Sequence, residues 1–299
     1  MENIVQLNAG LNSLQYKNSN YQEFKVVDPK PRIIHKASVR DRLVHHAIYR
    51  IFYSDFDKIF IFDCYSCRKS KGTHRAFARL IDFSRKQSKN YCKSCWALKI
   101  DIKKFFHSID HQILLKLLSN KVSDPKAIWL LGQVVESFHS SPNKGMPLGN
   151  LTSQLFANIY LDPLDRFIKH KMRVKYYLRY ADDLLILAQD KQTLAVYLLD
   201  IQKFIEDIKL VIHPEKIFYR KLTWGIDFVG YEIHKQFNLP RRKTVKRISR
   251  NLHRSSKEEL EKSLPSYLGY LKHTNAFSLS KKLQNGFKKI STDTIEISR

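Results

Sequence analysis

The chain has 299 residues, with 53 Lys and Arg against 28 Asp and Glu, for a net charge of +25. A hydrophobic fraction of 43% is that of a globular protein, which excludes a disordered basic tail and leaves room for two or three subdomains. A positive charge of this size points to a polyanionic partner, nucleic acid ahead of an anionic membrane surface.

No apolar stretch approaches the roughly 18 residues needed to span a bilayer. Met1 to Gly10 has no charged-then-apolar leader pattern, so a soluble, cytoplasmic protein with no membrane partner is expected. Residues 1 to about 30 are polar with scattered hydrophobes and read as a lead-in, where Pro29 and Pro31 break any helix. Apolar residues recur on one helical face from Val39 through Val44 and Ile48 to Phe52, so a helix is expected there. Arg32, Lys36, Arg40 and Arg42 beside it either reach phosphates or form a solvated face. Four cysteines then fall into two pairs, Cys64-Tyr65-Ser66-Cys67 and Cys92-Lys93-Ser94-Cys95. Such pairs suit a structural Zn²⁺ site, but the gap of 24 residues between them is long and holds a helix expected from Thr73 to Phe83, which favours reduced thiols. Arg68, Lys69, Lys71 and Arg75 surround Gly72, with Thr73 as a helix N-cap; cations and free N–H groups converging there make an anion site.

The apolar run Trp96 to Ile100 reads as a strand closed by Asp101 and followed by Ile102-Lys103-Lys104-Phe105-Phe106. Ser108 to His111 caps a helix carrying Ile113, Leu114, Leu117 and Leu118, and neither Asp110 nor His111 is assigned a catalytic role. Gly145, Pro147 and Gly149 mark a loop, after which Leu155, Ile159, Leu164 and Ile168 keep helical spacing. Gly149 allows a close backbone approach. Tyr176 to Leu178 and Leu184 to Leu187 are apolar runs on either side of Tyr180-Ala181-Asp182-Asp183, which makes a strand–turn–strand hairpin with two anions at its tip. Such anions repel unless a cation neutralises them, and hard carboxylate oxygens on neighbouring strands suit Mg²⁺. An amphipathic helix is expected over about 191–210. His213-Pro214-Glu215-Lys216 and Phe228-Val229-Gly230-Tyr231 follow it. From residue 241 onward 15 Lys and Arg stand against 5 Asp and Glu, so a basic helical segment that tracks a duplex through its phosphates is expected.

Asp101, then the Gly-rich loop, then Tyr180-Ala181-Asp182-Asp183, in that order, resemble the palm of a reverse transcriptase. The resemblance covers about residues 29–275. It implies an α+β right-hand polymerase fold: lead-in and fingers over 1–95, a palm with an antiparallel sheet over 96–239 (fingers-like insertions around 119–147), and a small helical thumb over 240–299. It implies RNA-directed DNA synthesis by nucleotidyl transfer, with two Mg²⁺ ions (or Mn²⁺ in their place) held by Asp101, Asp182 and Asp183, and Ile102 added to the metal set. Segment 64–79 resembles the fingers motif of bacterial reverse transcriptases, which makes Arg68, Lys71 and Arg75 triphosphate ligands. Lys216 resembles the palm lysine that neutralises or protonates the leaving pyrophosphate, with an exposed loop lysine as the alternative. By the same resemblance Phe105 is the ring that excludes a 2′-hydroxyl, and Phe228, Gly230 and Tyr231 form the primer grip. Either Phe105 or Phe106 belongs to the core.

Most of the family carries Gln-Gly, three residues, then Ser-Pro, whereas this chain has Leu148-Gly149-Asn150-Leu151-Thr152-Ser153-Gln154. Leu148, Gly149, Ser153 and Gln154 in this form resemble the template loop of the reverse transcriptases of diversity-generating retroelements, within the group II intron-like superfamily. That resemblance implies mutagenic retrohoming with errors at template adenines, and a ribonucleoprotein of template RNA, primer, cDNA, dNTPs and a small basic accessory protein. Gln154 is either a fidelity residue or a helix cap. The DNA-binding and endonuclease parts of a group II intron maturase are not expected. The alternatives are a retron-like or phage-defence reverse transcriptase, or a non-catalytic RNA-binding scaffold.

Overall fold

The computed structural model describes residues 2–27, 31–254 and 256–285. Pro29 and the last residues of the C-terminal segment lie outside them. In chain order the elements are α1 (Glu2–Asn12), β1 (Gln22–Val26), β2 (Arg32–Lys36), α2 (Val39–Ile59), α3 (Thr73–Gln87), β3 (Trp96–Asp101), α4 (Phe105–Ser108), α5 (His111–Ser119), α6 (Pro125–Val135) and α7 (Leu151–Arg166). They continue with β4 (Tyr177–Tyr180), β5 (Asp183–Ala188), α8 (Lys191–Asp207), β6 (Phe218–Lys221), β7 (Ile226–Phe228), β8 (Tyr231–Ile233), β9 (Asn238–Pro240), α9 (Arg242–Arg254) and α10 (Lys257–Leu271). Two compact units divide the chain, each discontinuous: Met1–Gly72, Leu98–Ile186 and Gln192–Phe218 in one, Thr73–Ala97, Leu187–Lys191 and Tyr219–Arg299 in the other. Residues 73–95, expected with the N-terminal block, thus fall in the second unit.

In the first unit α7 is the axis. Twelve of its 16 residues are buried, as befits a helix packed on nearly every side. α2 packs on it, and so does α5. Ser38 caps α2 by accepting from the Asp41 N–H, and Asp110 caps α5 by accepting from the Ile113 N–H. β4 and β5 pair antiparallel. Leu178, Leu184, Leu185 and Ile186 are fully buried, which explains the continuous apolar runs.

The lead-in contains regular structure. Beyond α1, β1 pairs antiparallel with β2, with Glu23 opposite His35. Every residue of β1 is exposed, so no buried face left an alternating pattern to read. Among the described residues no helix is long and apolar enough to cross a membrane.

In the second unit β7, β8 and β9 form an antiparallel sheet. Val229 and Gly230 join β7 to β8 with φ of 44° and 96°, the positive pair that a tight two-residue hairpin requires. Tyr231 is fully buried between Phe77 of α3 and Tyr270 of α10, at ring centroid distances of 4.3 and 4.7 Å. Ile248, Leu271 and Leu283 make a small core beneath α9.

Candidate active site

The acidic hairpin is built by the pairing of Tyr180 with Asp183, which leaves Ala181 and Asp182 as its two-residue loop. Ala181 sits at φ 54°, a left-handed conformation that costs a residue with a Cβ about 1 kcal/mol. β3 ends against this turn, where the Ile102 N–H donates to the Asp182 carbonyl at 3.3 Å. Residues 211–213 run alongside: the Lys103 N–H donates to the Val211 carbonyl at 2.8 Å and the His213 N–H to the Asp101 carbonyl at 2.9 Å. Asp101, Asp182 and Asp183 are thereby carried on two neighbouring strand ends. The consequence shows in Asp182, whose pKa rises to about 6 through burial first, then the charge of Asp183, then that of Asp101.

Two lysines share the site. Lys216, in the turn Pro214–Lys216, places Nζ 2.7 Å from Asp101 Oδ1. Lys99, two residues before Asp101 on β3 and so on the same strand face, places Nζ 3.4 Å from Asp183 Oδ1. Asp101 and Asp183 face these ammonium groups, and among the described residues no three His, Cys, Asp or Glu side chains are arranged around a metal position. The donor set nevertheless fits a hard divalent cation. It consists of carboxylate oxygens, and burial, with the charges of Asp183 and Asp101 added to it, lifts Asp182. Lys99 escaped the sequence reading; a lysine inside the apolar run Trp96 to Ile100 was the available signal.

Several expected ligands are placed differently. Arg68 is 6% exposed along its side chain, with Nε 2.7 Å from Asp57 Oδ1 and further bonds to the Ile61, Cys64 and Asp57 carbonyls. With four bonds already made inside the protein, Arg68 is a strut of the basic loop rather than an open triphosphate ligand. Lys71 donates to the Phe62 carbonyl at 2.8 Å and lies over the Phe62 ring. Arg75 is exposed in the first turn of α3, which begins at Thr73 itself, so Thr73 is the first helical residue and not its cap. Phe105 is 2% exposed and packs edge-on to Tyr160. That burial places Phe105 in the core and leaves Phe106, which is half-buried, as the ring of this pair with open surface.

The loop at Leu148–Asn150 is zipped to β2: the His35 N–H donates to the Leu148 carbonyl and Asn150 Nδ2 to the His35 carbonyl, both at 2.9 Å. Gly149, at φ 106°, is required here because a Cβ would lie 2.6 Å from Ile34 Cγ2. Its close approach is to the protein's own β2. Ser153 is buried with an unpaired hydroxyl. Asn150 is the N-cap residue of α7, and Gln154 is exposed at the fourth helical position, so Gln154 is not the cap. In the second unit Phe228 and Tyr231 are fully buried, and Tyr270 Oη donates to the Gly230 carbonyl.

The cysteines do not assemble a zinc site among the described residues. The Cys64 thiol is buried and donates to Asn158 Oδ1 at 3.4 Å. Burial pushes the Cys64 and Cys95 thiols up to about 11 and 12, away from the thiolate that zinc needs.

A hairpin tip with paired aspartates, a third aspartate on the adjoining strand and a lysine within reach resembles the palm of a template-directed polymerase. The profile of the family described as "Reverse transcriptase (RNA-dependent DNA polymerase)" matches residues 23–233, and the chain belongs to that family. It is similar to the "Putative COX1/OXI3 intron 1 protein" of Saccharomyces cerevisiae, at 22% identity over 77% of this chain and 35% of that protein. It is also similar to the "Group II intron-encoded protein LtrA" of Lactococcus lactis subsp. cremoris, at 27% identity over 43% of this chain and 21% of LtrA. The chain spans 16 to 36% of the length of the curated relatives it matches. Among solved structures, telomerase from Candida albicans in complex with a TWJ fragment of telomeric RNA superposes with a TM-score of 0.60 and 12% identity, over 96% of this chain and 59% of that one. Apo telomerase from Candida tropicalis gives 0.57 and 13%, over 94% and 58%. The fold is the α+β right-hand fold of these enzymes.

Proposed function

We propose that the protein is an RNA-directed DNA polymerase that copies a template RNA into cDNA from dNTPs. The observation that carries this reading is geometric: the Tyr180–Asp183 hairpin tip holds Asp182 against the end of the strand that closes on Asp101, with Lys216 Nζ 2.7 Å from Asp101 Oδ1. Mg²⁺ held by Asp101, Asp182 and Asp183, with Ile102 beside them, would supply activation of the primer 3′-hydroxyl and stabilisation of charge on the leaving pyrophosphate. The chain's own residues do the rest. The two strand ends fix the carboxylates at one place, and Lys216 keeps a cation at Asp101, within reach of a triphosphate bound there. Phe106, rather than the buried Phe105, is the proposed ring against the sugar, on the strength of its open surface. Lys71 and Arg75 remain the proposed triphosphate cations; Phe228 and Tyr231, both fully buried, hold the proposed primer-grip hairpin from inside and do not present their rings to a primer.

The finer reading is a diversity-generating retroelement enzyme that works with template RNA and a small basic accessory protein. Its support is the segment Leu148 to Gln154 and the exposed side chain of Gln154 at the start of α7. Primer extension on poly(rA)/oligo(dT) with Mg²⁺ tests the activity. The parent is expected to extend the primer and Asp101→Asn to lose extension by a hundredfold or more while still binding RNA. Extension by Asp101→Asn within tenfold of the parent would overturn the site assignment.

A further inference from the structure

Arg179 is a fully buried charge in the middle of β4, next to the acidic turn. Its Nε lies 2.8 and 3.0 Å from the two Asp165 oxygens and its Nη2 2.7 Å from Asp165 Oδ2. Tyr177 Oη also donates to Asp165 Oδ1, at 2.6 Å. The remaining arm, Nη1, donates to two acceptors: Asn158 Oδ1 at 3.1 Å and the Ala181 carbonyl at 3.0 Å. A buried ion pair is a poor way to stabilise a core, since apolar residues of equal volume usually pack there at no greater cost. Its use must lie in the geometry that a planar, forked donor fixes.

That geometry ends on the strained residue of the turn. Ala181 is held at φ 54° immediately before two carboxylates that repel each other, and both strain and repulsion favour relaxation of the loop. Nη1 bonds the Ala181 carbonyl from a site that cannot move, because Arg179 is clamped to α7 through Asp165. The same arm reaches residues 63–66, which lead into the basic loop. Asn158 Nδ2 donates to the Ser66 carbonyl at 2.9 Å, while the Arg179 main chain accepts from the Tyr65 N–H at 3.0 Å and donates to the Asp63 carbonyl at 2.9 Å.

We propose that Arg179 is a positioning residue for the metal-binding turn, and that Asn158 ties this turn to residues 63–66, which lead into the basic loop. The inference rests on the polymerase reading for the role of Asp182 and Asp183. It predicts that loss of the Nη1 fork loosens the carboxylates and weakens ion binding without unfolding the protein.

The test removes the whole buried cluster, so that no orphaned charge or hydroxyl remains: Arg179→Met, Asp165→Leu and Tyr177→Phe together. Mn²⁺ binding is measured by titration calorimetry on the full chain, with Asp182→Asn defining the ion bound at the turn. The Mg²⁺ midpoint of primer extension is measured beside it. The expected result is a folded protein by circular dichroism whose Asp182-dependent Mn²⁺ dissociation constant and Mg²⁺ midpoint both rise at least tenfold. An unchanged dissociation constant, or a parent with no Asp182-dependent Mn²⁺ binding, overturns the proposal. A parent that binds Mn²⁺ at Asp182 but never extends a primer overturns the polymerase reading and leaves the calorimetric test standing. If the triple variant does not fold, Arg179→Lys serves. Its single ammonium keeps the charge opposite Asp165 but cannot also reach Ala181 and Asn158, so the same tenfold weakening is expected and an unchanged constant refutes it.

Discussion

Asp182→Asn should make the ion-free protein more stable while abolishing polymerisation. Burial and two like charges raise the Asp182 pKa from 3.8 to about 6. At 1.36 kcal/mol per unit this corresponds to about 3 kcal/mol by which the ionised carboxylate destabilises the folded state. Asp182 is partly exposed, so solvent screening lowers the figure to about 1–3 kcal/mol. The sign follows from proton linkage. The folded protein binds this proton more tightly than the unfolded chain, so the favourable contribution is full below pH 4 and is lost as pH rises through 6. Asparagine cannot ionise and escapes the loss. Melting in EDTA at pH 8 should therefore show the variant above the parent by roughly 2 °C or more, at about 2 °C per kcal/mol for a chain of this size. The gain should shrink as pH falls from 6 toward 4. Added Mg²⁺ should raise the parent's melting point and leave the variant's in place. A variant that melts at or below the parent at pH 8, or gains equally at every pH, would refute the electrostatic account of the site.

The neighbouring phenylalanines separate by burial: Phe105→Ala should cost about 3–5 kcal/mol of stability by opening a core cavity, measured by denaturant melts. Phe106→Ala should melt near the parent and raise rNTP relative to dNTP incorporation, and an unchanged ratio would remove Phe106 from the sugar site. On α9, Arg242, Lys243, Lys246 and Arg250 are exposed, whereas Arg241 is paired with Asp227. Neutralising those four should lower the salt slope of RNA binding by about 0.7–0.9 for each phosphate that they neutralise, while Arg241→Gln should leave it unchanged. For Gln154, proline would remove the first intrahelical N–H of α7 as well as the amide, so Gln154→Ala is the cleaner probe. Sequencing of cDNA should show fewer errors at template adenines for Gln154→Ala than for the parent. Equal rates would acquit the side chain, and a parent that copies adenine as faithfully as other bases would remove the retroelement reading.

The carboxylate cluster was legible because its signals are local. Asp182 and Asp183 interrupt two apolar runs, and Asp101 closes a third, so strand periodicity and carboxylate chemistry locate them together. Long amphipathic helices such as α2 and α8 were legible for the same reason, whereas β1 was not, because a strand exposed along its whole length has no apolar face to betray it.

What was hidden depends on contacts that no periodicity encodes. Arg68 beside Lys69 and Lys71 looks like a row of ligands, and only the fold brings Asp57 and three carbonyls around Arg68 to make it a strut. Phe105 and Phe106 are chemically alike, and it takes Tyr160, 55 residues downstream of Phe105, to decide which ring is interior. Arg179 carried a signal that periodicity alone does not weigh: a charge inside a run otherwise apolar enough to be a buried strand. A residue of that kind must have a buried counter-charge, and the cost of keeping the pair argues that its position matters. Lys99 breaks the run before Asp101 in the same way, and in the fold it too is found beside a carboxylate of the site. Charges set into apolar strands next to an acidic turn therefore point to the residues that hold the turn, once the turn itself has been recognised.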